Sequence, residues 1–217
     1  MSDHLFRRAQ FRLAAHELHQ LPADHGAEIA FAGRSNAGKS TALNRICDQT
    51  GLARTSKTPG RTQQLVVFTL DETRRLVDLP GYGYAKVPNV LRDHWREVID
   101  GYMRGRQSLR GIVLIMDSRH PLKDFDRMML TYCRDIGLRC HVLMTKSDKL
   151  SRGEAARALL GTRREMGILC PGATVQLFSS LAKTGIDEAR TMLMSWFEAS
   201  ERDDQLEAAS IPDGQPD

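Results

Sequence analysis

The 217 residues suffice for one well-buried domain and show no break in composition that would divide them. Hydrophobic residues make up 41% and charged residues 27%, which excludes a disordered or fibrous chain, and no apolar run approaches the roughly 20 residues that span a bilayer. Arg7, Arg8 and Arg12 have no apolar signal segment behind them, so a cytoplasmic protein with no membrane partner is expected. The net charge of +4 hides an asymmetry: the last 17 residues hold six acids against Arg202 alone, which leaves +9 on residues 1–200. A basic body with an acidic tail suits a polyanion such as RNA, and it is equally what ordinary charge scatter produces.

Residues 1–21 alternate apolar and basic groups loosely, which predicts an N-terminal arm or a short helix. A patterned domain follows over 22–199. Ile29 to Phe31 is a short apolar run ending in Gly33, and Ser40 to Cys47 has helical spacing with Leu43 and Ile46 inward, giving strand, glycine-rich loop and helix. Gln64 to Leu70 and Arg75 to Asp78, joined by four polar residues, read as a hairpin. Gly111 to Met116 and His141 to Met144 are apolar runs of the kind buried on both faces of a sheet, separated by a helical stretch from Pro121 to Ile136. A helix over Arg152 to Met166, a strand over Thr174 to Phe178 and a helix over Gly185 to Phe197, anchored by Leu193, Trp196 and Phe197, complete an α/β alternation. Residues 200–217 read as a disordered acidic tail. Cys47, Cys133, Cys140 and Cys170 lack metal-site spacing and read as reduced, buried thiols.

The segment Gly33, Arg34, Ser35, Asn36, Ala37, Gly38, Lys39, Ser40 matches G-x-x-x-x-G-K-[ST] and lies between a predicted strand and helix. In such a loop backbone N–H groups, here through Thr41, surround a β-phosphate. Lys39 reaches the β and γ oxygens, and the Ser40 hydroxyl ligates Mg²⁺. Asp78, Leu79, Pro80 and Gly81 form a D-x-x-G at a strand end, where the carboxylate can hold Mg²⁺ and the glycine N–H a γ-phosphate; by itself the tetrapeptide is also a common turn. Thr145, Lys146, Ser147 and Asp148 follow the fifth predicted strand. A carboxylate there can accept hydrogen bonds from N1 and the 2-amino group of guanine, a donor pair adenine lacks; the rival reading makes Asp148 a helix cap. Phe178, Ser179, Ser180 and Leu181 after the last strand can offer backbone N–H groups to guanine O6.

With these four segments the chain resembles the EngB family, within the TrmE-Era-EngA-EngB-Septin-like P-loop GTPases. The resemblance runs from about Phe11 to Phe197 and is carried by the P-loop, the Ser56–Gln63 segment containing Pro59, Gly60, Arg61 and Thr62, the stretch from Asp78 to Lys86 with its Gly-Tyr-Gly-Tyr-Ala-Lys, and Thr145 to Asp148. It implies a Ras-like fold with a mostly parallel six-stranded sheet, one antiparallel strand and helices on both faces. It also implies Mg-dependent GTP hydrolysis at a slow intrinsic rate, GTP-dependent binding to rRNA and proteins of the large ribosomal subunit during its assembly, and a requirement for normal cell division. No DNA partner is implied, and a monomer is expected. Thr62 is the threonine chosen to complete the Mg²⁺ shell, with Thr58 and Thr55 as alternatives, so Lys39, Thr62, Gly81 and Asn36 form the expected catalytic set and Ser40, Thr62 and Asp78 the metal set. Thr145 stands where most GTPases carry Asn.

Ras-type enzymes orient the attacking water with a Gln directly after the D-x-x-G glycine, and here that position is Tyr82. In related GTPases without this Gln, an Asn at the position of Asn36 helps to hold K⁺; Asn36 can do the same here or serve only as backbone support of the P-loop. Arg54, Lys57, Arg61 and Lys86 fall in the expected switch loops and can move toward RNA phosphates or be solvated loop charges. Tyr82 and Tyr84 can stack on bases, while Trp95 and Tyr102 read as packing residues. Two competing readings are a nucleotide-binding module without turnover and a metabolic kinase; the guanine-selecting Asp148 speaks against the kinase.

Overall fold

The computed structural model describes residues 2–53, 64–81 and 89–209. In chain order the elements are α1 (Ser2–Arg7), β1 (Gln10–Ala15), β2 (Ala27–Gly33), α2 (Lys39–Ile46), β3 (Leu65–Thr69), β4 (Arg74–Asp78), α3 (Asn89–Gly105), β5 (Leu109–Asp117), α4 (Asp124–Asp135), β6 (Cys140–Thr145), α5 (Arg152–Leu169), β7 (Thr174–Leu177) and α6 (Ile186–Ala209). The strands form one sheet in the order β1-β3-β4-β2-β5-β6-β7. From β4 through β2, β5 and β6 to β7 every pairing is parallel, and β3 runs against both of its neighbours. The expected mostly parallel sheet with one opposed strand is present, with seven strands rather than six.

Helices cover both faces, which is why β5 and β6 read as nearly unbroken apolar runs. Alternate residues of β5 serve opposite layers. Ile112, Leu114 and Met116 meet Tyr102 and Met103 of α3, Met129 and Leu130 of α4 and Met166 of α5 in one core. Val113 and Ile115 join Phe6 of α1, Leu43 and Ile46 of α2 and Leu193, Trp196 and Phe197 of α6 in the other. All four cysteines are free and buried.

The extra strand comes from the segment expected as an arm or short helix. Phe6 is fully buried and fastens α1 against α6, after which β1 pairs with β3 at the sheet edge and Phe11 sets its ring edge-on to Phe68, with centroids 6.5 Å apart. Helix α3 had no predicted counterpart. Trp95 falls on it, and Tyr102, 1% exposed, packs as expected. Helix α6 continues to Ala209, into the segment expected to be disordered from Ser200.

At the edge where the parallel strands begin, Glu28 of β2 is 1% exposed. Its carboxylate accepts hydrogen bonds from Tyr102 Oη (3.0 Å), the Arg75 guanidinium (3.3 Å) and the Arg106 guanidinium (2.7 and 3.1 Å). Burial, and then the neighbouring Glu28 charge, push the Tyr102 hydroxyl well above its ordinary pKa. This network ties β2, β4 and the C-terminal end of α3 together.

Candidate functional site

The five parallel strands end together, β2 at Gly33, β4 at Asp78, β5 at Asp117, β6 at Thr145 and β7 at Leu177. The chain leaves β2 toward β4 on one side and returns to β5 on the other, and ligands of such sheets bind beyond the strand ends at that reversal.

The glycine-rich loop occupies this place. Strand β5 runs so close to Gly33 that a Cβ there would sit 2.9 Å from the Ile115 carbonyl oxygen. Gly38, at φ +99°, turns the chain into α2 in a conformation L side chains rarely adopt. No side chain caps α2, so the amides of Lys39, Ser40 and Thr41 lack intrahelical partners and, with the helix dipole, make an anion site. Asn36 has a φ of 61°, is exposed, and its side-chain amide makes no hydrogen bond among the described residues.

The Lys39 amine pairs with the Asp78 carboxylate, the two side chains being only 11% and 12% exposed. Leu79 donates its N–H to the Phe31 carbonyl (2.9 Å), and buried Leu79 and Pro80 carry the chain to Gly81, where a Cβ would lie 3.7 Å from Ser35. The D-x-x-G segment therefore abuts the P-loop. The Arg34 side chain turns away to α4. It donates to the buried Asp126 carboxylate (3.3 Å) and the His120 carbonyl (3.1 Å), leaving its backbone to the loop. Burial raises the Asp126 pKa, with Arg34 acting in the opposite direction.

At the other end, the Thr145 hydroxyl lies 2.5 Å from the Ala37 carbonyl oxygen and 3.0 Å from that of Met116, stitching β6 to the P-loop. The Lys146 amine donates to the Asn36 carbonyl (2.6 Å) and to Asp117 Oδ2 (2.9 Å). Arg119 grips the same carboxylate at 2.9 and 2.6 Å, and this guanidinium, with Lys146, holds the Asp117 carboxyl far below the usual range. Asp148 accepts the Ser179 hydroxyl at Oδ1 (2.5 Å), with its side chain 15% exposed. The cap of α5 is Ser151, paired reciprocally with Glu154, so Asp148 is not that helix's cap. Ser147 donates its N–H and hydroxyl to the Phe178 carbonyl (3.3 and 3.1 Å) while the Phe178 ring is buried. Ser179 bridges to Thr184 and takes the Ala182 N–H, closing a turn from which the Ser180 and Leu181 amides donate no hydrogen bond among the described residues. The Ser180 hydroxyl reaches the Thr41 carbonyl at 3.5 Å, and Leu181 is 75% exposed.

Pro59, Gly60, Arg61 and Thr62, with the alternatives Thr55 and Thr58, lie outside the described residues, as do Arg54, Lys57, Tyr82, Tyr84 and Lys86. Ser40 and Asp78 offer the hydroxyl and carboxylate oxygens that suit Mg²⁺. Among the described residues no group of three or more His, Cys, Asp and Glu forms a metal cage. Sequence reasoning missed Asp117 and Arg119. The signal was there: an acid closing the apolar run of a central parallel strand stands where ligands bind.

Residues 28–146 match the family described as 50S ribosome-binding GTPase. The chain is 54% identical over 193 residues to a probable GTP-binding protein EngB of Stenotrophomonas maltophilia (strain K279a), covering 88% of this chain and 96% of that protein. It is 53% identical over 189 residues to the corresponding protein of Xylella fastidiosa (strain 9a5c), covering 87% and 93%. Among solved structures, that of a probable GTP-binding protein engB superposes with a TM-score of 0.61 at 21% identity over 80% of this chain and all of that one, a likeness of fold.

Proposed function

Because this chain belongs to the EngB family of P-loop GTPases, we propose that it is a cytoplasmic switch that binds Mg-GTP, hydrolyses it slowly and, in its GTP form, binds the large ribosomal subunit during assembly, with normal cell division depending on that assembly. The observation that carries the nucleotide reading is the meeting of Lys39 with Asp78 and of Asp148 with Ser179 along one sheet edge, joined by the Thr145 and Lys146 bonds to the P-loop. Lys39 and the first-turn amides of α2 bind and orient the β and γ phosphates, and Asp148 reads the base. Ser40, Asp78 and, in this reading, Thr62 hold Mg²⁺, which when bound neutralises developing phosphate charge. The Gly81 N–H, on the loop opposite the P-loop, would donate to the γ-phosphate. With Tyr82 in the place of a water-orienting Gln, intrinsic turnover is slow.

The exposed Asn36 side chain supports a place for K⁺ beside the phosphates, where the cation supplies the charge of an arginine finger. GTP hydrolysis is then several-fold faster in potassium than in sodium at equal ionic strength, and Asn36→Ala abolishes the difference; equal rates in the two salts remove this role.

The family description and the basic body both support a ribosomal partner. Co-sedimentation with separated ribosomal subunits, at two salt concentrations, tests it. Capture by the large subunit with a non-hydrolysable GTP analogue and release with GDP is the expected result. Binding that ignores nucleotide and vanishes with salt reduces the reading to nonspecific attraction, and single-turnover assays without product leave a binding module.

A further inference from the structure

Helix α5 buries Ala155, Thr162 and Met166 against the domain and turns the opposite side to solvent. A solvent-facing stripe on a helix ordinarily carries acids and bases in mutual pairs. This one carries Arg157 and Arg164, with Arg152 and Arg163 along one flank, all exposed; none makes a hydrogen bond or close ion pair among the described residues, and only Arg157 feels an acid of the helix, the Glu154 charge one turn away. The two acids of the helix are both engaged, Glu154 in the Ser151 cap and Glu165 with Arg127 (2.5 Å). Leu160 stands between the arginines and Ile168 one turn beyond Arg164, at 67% and 76% exposure. Gly153, Gly161 and Gly167 lie on the same side with nothing within 4 Å of where a Cβ would be. Glycines inside a helix cost about 1 kcal/mol each relative to alanine, and no contact among the described residues requires them.

We infer that the exposed face of α5 docks on the ribose-phosphate backbone of double-helical RNA. The inference rests on the ribosomal reading above for the source of that RNA. The arginines from 152 to 164 span about 18 Å along the axis, and their planar forks match phosphate oxygens in pairs. A-form RNA keeps its base edges from side chains in a deep, narrow major groove and is recognised through shape, phosphates and 2′-hydroxyls. The glycines keep the crest of the helix low, so its backbone can lie close to the strand. Leu160 and Ile168 gain burial from any partner; the excess of guanidiniums over acids on this face selects a polyanion.

The test uses the full chain loaded with a non-hydrolysable GTP analogue and a labelled 20-base-pair RNA duplex, with anisotropy followed across salt concentration. The double substitution Arg157→Gln/Arg164→Gln is expected to weaken binding at low salt at least tenfold and to lower the salt slope by about two, one for each phosphate no longer neutralised. Nucleotide affinity and melting temperature stay unchanged, and a control Arg8→Gln/Arg12→Gln leaves the slope alone. Gly167→Leu keeps every charge and raises helix propensity, yet is expected to bind RNA more weakly because it lifts the crest. Full binding by both α5 variants overturns the inference, and so does displacement by polyglutamate as effective as by unlabelled duplex, which points to an acidic protein. Large subunits retained equally by wild type and double variant overturn the α5 face while leaving the ribosomal reading intact. Duplex binding that disappears in the double variant, with no capture of subunits by wild type, does the reverse.

Discussion

Glu28→Ala is expected to remove a large share of the stability of the domain. The substitution strips two guanidiniums and a phenol of the carboxylate they share in a buried site, and breaking one side of such a network costs roughly 3–5 kcal/mol. Total stability for a domain of this kind is only about 5–15 kcal/mol. Urea denaturation of the nucleotide-free protein measures the difference directly. Glu28→Gln falls between, since one amide oxygen can still accept from Arg106 or Tyr102 but without charge assistance. Tyr102→Phe costs only about 1 kcal/mol, the value of one hydrogen bond. A Glu28→Ala protein within about 1 kcal/mol of wild type would mean that the site takes up water and the network is ornamental.

The second large effect is on nucleotide choice. In the proposed base site Asp148→Asn replaces a carboxylate positioned to accept two hydrogen bonds from guanine, each worth about 1.5–3 kcal/mol when charge-assisted, so GTP and GDP affinity is expected to fall on the order of 10²–10⁴-fold. The Ser179 hydroxyl fixes which way the new amide faces. Its oxygen accepts from Ser179 as Asp148 Oδ1 does now, which leaves the NH₂ toward the base. That donor meets the C2 carbonyl of xanthine where it would clash with the 2-amino group of guanine, so xanthosine triphosphate gains what GTP loses. Competition against a fluorescent guanine nucleotide reads both, and undiminished GTP binding removes Asp148 from the base site.

The P-loop was legible because its strand, turn glycines and helix each follow from a few adjacent residues, and the same holds for the apolar runs of β5 and β6. Asp148 was legible through its place after a strand. What contradicted its reading as a helix cap, the Ser151–Glu154 pair, was also in the sequence, three residues further on. Strand β1 was not legible. As an edge strand it leaves Gln10, Phe11 and Arg12 exposed, and the register shift between Phe11 and Leu13 breaks the two-residue alternation. The Lys146–Asp117 and Arg34–Asp126 pairs join residues 29 and 92 positions apart, so no local pattern announces them. The seventh strand and the Arg119–Asp117–Lys146 chain are products of tertiary packing.

The carbonyls of Asn36 and Ala37 receive Lys146 and Thr145, so the cradle for the phosphates and the wall beside the base are one piece of protein. In the proposed nucleotide site these bonds fix the separation of the two ends within the fold itself. Such a site behaves as a ruler. A ligand of the right length engages both ends without the cost of ordering the loop, whereas one lengthened or shortened between ribose and first phosphate must give up one end to keep the other. Guanosine and inorganic pyrophosphate offered separately forfeit the advantage of that fixed separation, because it is the covalent link between them that turns the second contact into an intramolecular one.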